Sequence, residues 1–248
     1  MMKLQLENDP WLSSEMAKEV YALKGLEVPI ATQDQSSVHQ IVGWERAKKL
    51  NSPCFVYAKV NPLNINGMRF LAKQGFYLVD TNIVLCKSNH DCTCCKESPA
   101  YSVREAEPSD KKFVEKIAGT AFQYSRFHLD DMISQTLANQ IKVKWAGNYF
   151  AGLRGDAMLV AQSEGKVIGF LLLKFQGEEL IIDLIAVETQ FQKIGIATGL
   201  IYVAQKKYNS FKYVAVGTQL ANYSSMMFYQ GQGFSFKEAR NIFHFHPE

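Results

Sequence analysis

The stretch ETQFQKIGIATGL, residues 188–200, holds the spacing in this chain that most clearly suits chemistry. It follows an apolar strand pattern ending at Val187 and opens a helical one, so Gln192, Lys193, Ile194, Gly195, Ile196 and Ala197 form Q-x-x-G-x-A at a strand-to-helix junction. The first amides of a helix have no intrahelical acceptor, and the positive end of the helix dipole lies beside them. Gly195 and Ala197 keep side chains out of the way of an anion held by the amides of Ile194 to Thr198, and such a loop suits a diphosphate.

Other reactive groups are more scattered. Asp183 lies mid-strand in LIIDLIAV, with Glu178 and Glu179 at the strand's start. His244 and His246, two residues apart on the last strand, share a face. Any of these could relay a proton. Cys86, His90, Cys92, Cys94 and Cys95 crowd together, but Cys92-x-Cys94-Cys95 misses the usual C-x₂₋₄-C spacing and has no second pair downstream, so no metal site is expected.

The elements that must position these groups read as follows. Helical spacing covers 12–24 and 36–50, CFVYAKV (54–60) is a buried strand, 64–74 a helix, and 76–87 an alternating strand. Residues 88–100 are polar, contain Pro99 and read as a linker. A strand (101–107), a helix capped by Ser109 or Asp110 and running to about 122, and a longer helix (130–150) open a second unit. An antiparallel meander follows (157–163, 167–175, 180–187), then helix 195–208, strand 213–218, helix 222–232 and strand 234–246.

The chain also repeats itself. Shifted by 158, KKLNSPCFVYAKVNPLNINGMRFLAKQGF (48–76) lies over KKYNSFKYVAVGTQLANYSSMMFYQGQGF (206–234) without a gap, with 11 of 29 positions identical, where chance gives about two. The first copy lacks the chemistry: Gln192 falls on Asp34, Gly195 on Ser37 and Tyr229 on Leu71. It reads as a duplicate kept for support.

This order of elements, with the loop after the fourth strand of the second unit, resembles the GNAT acetyltransferase superfamily. The likeness covers 101–248 and includes NYSSMMFY (222–229), where Asn222 and Tyr229 fall on the superfamily's N-x₆-Y positions; Ala197 replaces a second Gly, which the pattern tolerates. The resemblance implies an α/β fold with a mixed central sheet flanked by helices, preceded by a degenerate half of the same fold over 1–87. It implies acetyl-CoA, with its pyrophosphate on 192–198, its thioester or pantetheine against the amides of Ile185, Ala186 and Val187, and Asn222 nearby. Tyr229 would protonate the leaving thiolate, and Asp183 stands among the candidate bases. The segment YSRFHLDD (124–131) falls where such proteins grip their acceptor, and with GTQLAN (217–222) it resembles TDP-fucosamine acetyltransferases of bacterial surface-glycan synthesis. That implies a nucleotide-linked amino sugar, with Arg126 on a phosphate or carboxylate and Phe127 or His128 stacked on a ring. Alternatives are an acceptor such as a protein N-terminus, an amino acid or a polyamine, or a sensor that binds acyl-CoA without turnover. The resemblance leaves room for a homodimer.

Composition sets the outer bounds. With 47% hydrophobic residues and net charge +3, the chain has the material for a core, and its scattered lysines form no nucleic-acid stripe. The opening MMKLQLENDPWLSSEMAKEV has no apolar signal core, and the longest apolar run, VIGFLLL, stops at Lys174. With five cysteines in no framework spacing, the expected location is the cytoplasm.

Overall fold

The structure is a computed structural model that describes residues 3–26, 40–42, 54–91 and 100–247. Its strands are β1 (Lys3–Asn8), β2 (Glu19–Lys24), β3 (Gln40–Val42), β4 (Cys54–Val60), β5 (Tyr77–Ser88), β6 (Ser102–Glu105), β7 (Ala157–Ser163), β8 (Lys166–Gln176), β9 (Glu179–Val187), β10 (Tyr213–Gln219) and β11 (Ser235–Phe245). Its α-helices are α1 (Pro10–Met16), α2 (Ile65–Lys73), α3 (Lys111–Ala121), α4 (Gln135–Gly147), α5 (Ile196–Lys207) and α6 (Tyr223–Gly231). Among the described residues, no helix is long and apolar enough to cross a membrane.

One expected helix is cut short. Pro10 opens α1 and the Asp9 side chain accepts from the Leu12 amide, but Ala17 takes a left-handed conformation (φ 51°) and ends the helix. Residues 19–24, assigned to the same helix by spacing, form β2 instead, because two neighbours claim their backbone: β1 pairs antiparallel and β4 parallel. Of the helix expected at 36–50, residues 40–42 are the strand β3 on β1, and the rest lies outside the described residues. Most of the expected linker, with Cys92, Cys94 and Cys95, also lies outside them, whereas Ser88 ends β5 and Asn89 is buried, donating to the carbonyls of Tyr208 and Phe211.

All eleven strands form one sheet in the order β3-β1-β2-β4-β11-β5-β10-β9-β8-β7-β6. The middle of this order is unexpected. The last strand, β11, pairs antiparallel with β4, while β5 pairs antiparallel with β10. Each copy of the repeat therefore receives its final strand from the other. The two pairings also share a register: Ala58 faces Phe243, and the 158-shifted residues Val216 and Leu85 face each other. The helices agree as well. Asn64 caps α2 by accepting from Gly67, Asn222 caps α6 by accepting from Ser225, and Gly75 and Gly233 leave those helices at φ 88° and 83°.

Helices α2, α5 and α6 cover one face of the sheet. Leu200, Ile201 and Tyr229 pack there on Leu159, Ile182 and Val216, and Leu71 on Val56 and Phe243. Helices α1, α3 and α4 cover the other. There α4 bridges the two halves, with Ala146 in a cluster over β7, β8 and β9, and Ala138 and Ile141 in a second cluster with Leu12, Phe55 and Phe127.

Candidate active site

Parallel strands β9 and β10 pair only from Glu179/Tyr213 to Ile182/Val216, and beyond that point they have no shared register. At the parting, β9 carries a bulge: Leu173 faces Ile182 and Leu172 faces Leu184, leaving Asp183 as the extra residue. The bulge turns Asp183 and Leu184 to the same α3/α4 face, since Asp183 bonds Trp145 of α4 and Leu184 joins the cluster beneath α3. Further on, the Glu188 amide donates to Ile168 of β8 at 2.8 Å. Strand alternation then turns the amides of Ile185 and Val187 to the edge that β10 has left, and on that edge the Val187 carbonyl accepts from Gln192 Nε2 at 3.1 Å. Ala186 points into the α3/α4 core.

At the end of β9 the chain turns into α5. Lys193 (φ 66°) and Gly195 (φ 92°) both lie in the left-handed region, which only glycine enters without strain. No side chain caps α5, the first intrahelical bond runs from the Gly199 amide to the Gly195 carbonyl, and Gln192 to Gly195 are exposed. A Cβ at Gly195 would meet nothing within 4 Å. The amides of Ile196, Ala197 and Thr198 are thus presented to open space, as an anion cradle requires. Tyr101 holds the turn by donating to the Gly195 carbonyl at 3.1 Å, and Gly199 is the residue that lets its ring approach.

Tyr229 lies on the α5/α6 face, 4% exposed, edge-on to Phe228 and Phe234. Its hydroxyl has no hydrogen-bond partner among the described residues, and burial raises its pKa. In the repeat its position belongs to Leu71, which is fully buried. Packing alone is satisfied by leucine there, so the lone hydroxyl needs another reason. Asn222, by contrast, uses its side-chain oxygen to cap α6, as Asn64 does for α2.

The opposite face holds Asp183. Arg154 donates to it through Nε at 2.7 Å and Nη2 at 2.9 Å, Trp145 Nε1 donates at 2.9 Å, and Lys174 Nζ lies at 3.2 Å. Burial pushes the carboxyl up, but Arg154, Trp145 and Lys174 outweigh it and hold its pKa below the ordinary value. A carboxylate held by four donors is a poor proton acceptor near neutrality, so the geometry favours positioning over the base role expected from sequence. Beside it lies a cleft of about 450 Å³ lined by Ile181, Asp183, Ala215, Gly217, Val84 and Glu238. Glu178 and Glu179 are engaged in ion pairs with Lys212 and Lys237.

The segment 124–131 packs against β4, β5 and β11. Asp130 accepts from the Tyr77 hydroxyl (2.7 Å), the Met132 amide (2.9 Å), His244 Nδ1 (2.6 Å) and His246 Nε2 (2.9 Å). Burial opposes this carboxylate, yet those bonds hold it well below the usual range, while burial lowers His244 to about 4. The pair is an anionic Asp130 with a neutral His244 that donates from Nδ1. Sequence reasoning placed the two histidines on one face but missed Asp130 as their partner. Arg126 lies over the Tyr57 ring at 3.9 Å rather than on Asp130 or Asp131. Phe127 is a correction: at 1% exposure, within the Leu12 and Phe55 cluster, it offers no face to a ligand ring. Both ring nitrogens of His128 are likewise engaged, by Ser125 at 2.6 Å and Asn139 at 3.0 Å. Asp80, also missed, is lifted by burial to about 6.

Comparison with known proteins agrees with this geometry. The family model described as Acetyltransferase (GNAT) family matches residues 125–234. The chain is 26% identical to the spore coat polysaccharide biosynthesis protein SpsD of Bacillus subtilis (strain 168), over 98% of this chain and 83% of that protein. Its fold is similar to that of a GCN5-related N-acetyltransferase from Sphaerobacter thermophilus, with TM-score 0.62, 11% identity, and 97% of this chain and 75% of that one covered. It is also similar to a tandem GNAT protein from the clavulanic acid biosynthesis pathway, with TM-score 0.58, 11% identity, and 92% and 75% covered. With the family match over 125–234, this fold and its uncapped loop at 192–198, the chain is a GNAT-fold, acetyl-CoA-dependent acyltransferase.

Proposed function

We propose that the protein is an N-acetyltransferase whose acceptor is the primary amine of a nucleotide-linked amino-deoxysugar. The observation that carries this reading is the parting of β9 and β10 after Ile182/Val216, with an anion-receiving loop and a partnerless phenol on one face and the Asp183 cleft beside it. The amides of Ile194 to Thr198 hold the diphosphate of acetyl-CoA, and those of Ile185 and Val187 hold its pantetheine arm or polarise the thioester carbonyl. When bound, acetyl-CoA supplies an activated acetyl group for direct transfer. Tyr229, kept protonated by burial at any working pH, donates its proton to the departing thiolate. Asp183 fixes Arg154, Trp145 and Lys174 around the opening. The name of the SpsD relative, a polysaccharide biosynthesis protein, supports a sugar acceptor.

We further read residues 1–87 as a degenerate half of the same fold; the shared register of the exchanged strands and the tandem GNAT neighbour support this. The test is thiol release from acetyl-CoA with TDP- and UDP-amino sugars set against peptides, amino acids and polyamines. Turnover highest with the nucleotide sugars is the expected result. Preference for another amine refutes the acceptor class, and no release with any amine points to a sensor.

A further inference from the structure

Two cations on the α3/α4 face, Lys142 buried and Arg126 half-buried, have no carboxylate in direct contact among the described residues; Asp183 reaches the first, and Asp80 and Asp9 the second, only at longer range. Lys142 of α4 is 8% exposed, and its Nζ has no hydrogen bond or ion pair among the described residues; it lies 4.6 Å from the Trp145 ring centroid and 5.0 Å from that of Phe122. Arg126 lies over Tyr57 at 3.9 Å and beside Phe127 at 4.6 Å, makes no ion pair among the described residues, and leaves Nη1 buried without a partner. A lone lysine normally stretches its amine to water, and a buried charge is normally paired. Here the Lys142 stem is buried against two rings with its amine at the edge of solvent, and Arg126 keeps one buried nitrogen unpartnered.

The neighbours make the arrangement more costly. Asp183, whose charge reaches Lys142, is already held by Arg154 and Lys174. Arg126 and Arg154 repel Lys142, and burial together with that repulsion lowers its amine to about 8 despite Asp183. Methionine would fill the space over Trp145 and Phe122 with no such penalty. Cations set near one another with no anion in direct contact are what a bound anion would relieve.

We propose that Lys142 and Arg126 form the receptor for an oxyanion of the acceptor, a phosphate or a carboxylate, which supplies the direct anionic contact that neither has among the described residues. This rests on the acetyltransferase reading and names the acceptor's class as an anionic amine. Arg126 presents a planar fork and Lys142 a point charge, a combination suited to an oxyanion. Tyr57, on β4, backs the Arg126 guanidinium, so the first copy of the repeat shapes the acceptor site as well as supporting it.

The experiment is calorimetric titration of the full chain, first with CoA alone, then with the CoA-saturated protein and TDP, glucuronate or uncharged thymidine. Saturation with CoA closes the 192–198 loop to the probes. TDP or glucuronate should bind and thymidine should not; TDP binding more tightly identifies a phosphate, glucuronate a carboxylate. Lys142→Met should weaken that affinity by about ten- to a hundredfold, the usual worth of a charged hydrogen bond, leave CoA affinity unchanged and raise the melting temperature of the ligand-free protein. Arg126→Lys, which keeps charge but loses the fork, should also weaken it. The proposal is overturned if neither anion binds at millimolar concentration, if Lys142→Met binds as well as wild type, or if that variant melts lower, which would mark a structural lysine. Failure of CoA to bind in the first titration counts instead against the acetyltransferase reading.

Discussion

Replacing Asp183 with asparagine tests whether this residue is a clamp at the β9 bulge or the catalytic base. The change keeps the side chain's shape and removes the charge that faces Arg154 at 2.7 Å and Lys174 at 3.2 Å. Removing one partner of a buried ion pair costs about 3–5 kcal/mol, because the other is left uncompensated. Asp183 is 10% exposed, but Arg154 and Lys174 keep 22% and 35%, so water softens the loss. The lower end, about 3 kcal/mol, is the expected cost. For a chain of this size that is a fall of roughly 6–12 °C in melting temperature. Urea unfolding followed by tryptophan fluorescence reads it directly, since Trp145 donates to the substituted carboxylate. A loss below about 1 kcal/mol refutes the clamp. Kinetics separate the two roles. A clamp variant keeps the acid limb of its kcat/KM profile at the same pH, and disappearance of that limb would make Asp183 the base after all.

Three further outcomes are expected. Tyr229→Phe should lower turnover by about a hundred- to ten-thousandfold, leaving CoA affinity near wild type by calorimetry; unchanged turnover removes the acid role. Gly195→Ala, at φ 92°, should cost roughly 1–2 kcal/mol in backbone strain and, with its methyl beside the open amides, weaken CoA binding about tenfold, or 1.4 kcal/mol. In the unfolded chain His244 takes up a proton between about pH 6.5 and 4 but resists it in the fold, where it faces Asp130, His246 and Arg126, so it lowers stability as pH drops. Asp80, lifted to about 6, opposes it over the same window, and in Asp80→Asn stability should therefore fall as pH drops from about 6.5 to about 4. His128, also lowered by burial, adds to the same slope. The depressed carboxylates Asp130 and Asp183 contribute a further loss at lower pH, and an Asp80→Asn urea midpoint flat between pH 6.5 and 4 refutes the assignment.

What was legible in the sequence was local. The phosphate loop depends on residue types within a single turn, and the strands and helices from 101 onward depend on short periodicities, so both could be read from neighbours in the chain. The helix expected over 12–24 failed because its second half is decided by β1 and β4, distant partners that override helical spacing. Asp183 was visible but its role was not, since Trp145, Arg154 and Lys174 come from other elements. Phe127 looked available because a loop was expected to be open, whereas Phe55 and Ile141 close over it. Lys142 gave no signal, because one lysine in a mixed helix says nothing about whether water can reach it. The exchange of β5 and β11 was hidden for a subtler reason. Two copies with the same apolar alternation and the same register offer equally good partners, and the pattern does not say which is chosen.

That choice makes the two ends of the chain interdependent during synthesis. A nascent polypeptide released as far as residue 100 has β4 beside no β11 and β5 beside no β10, leaving raw strand edges that invite association with other chains. Only when the final strand emerges can it slide between β4 and β5, so the acyltransferase half and its partner must mature together. Cutting the gene between them would yield two sticky fragments rather than a lighter enzyme, and mixing those fragments in one cell should restore what neither possesses alone.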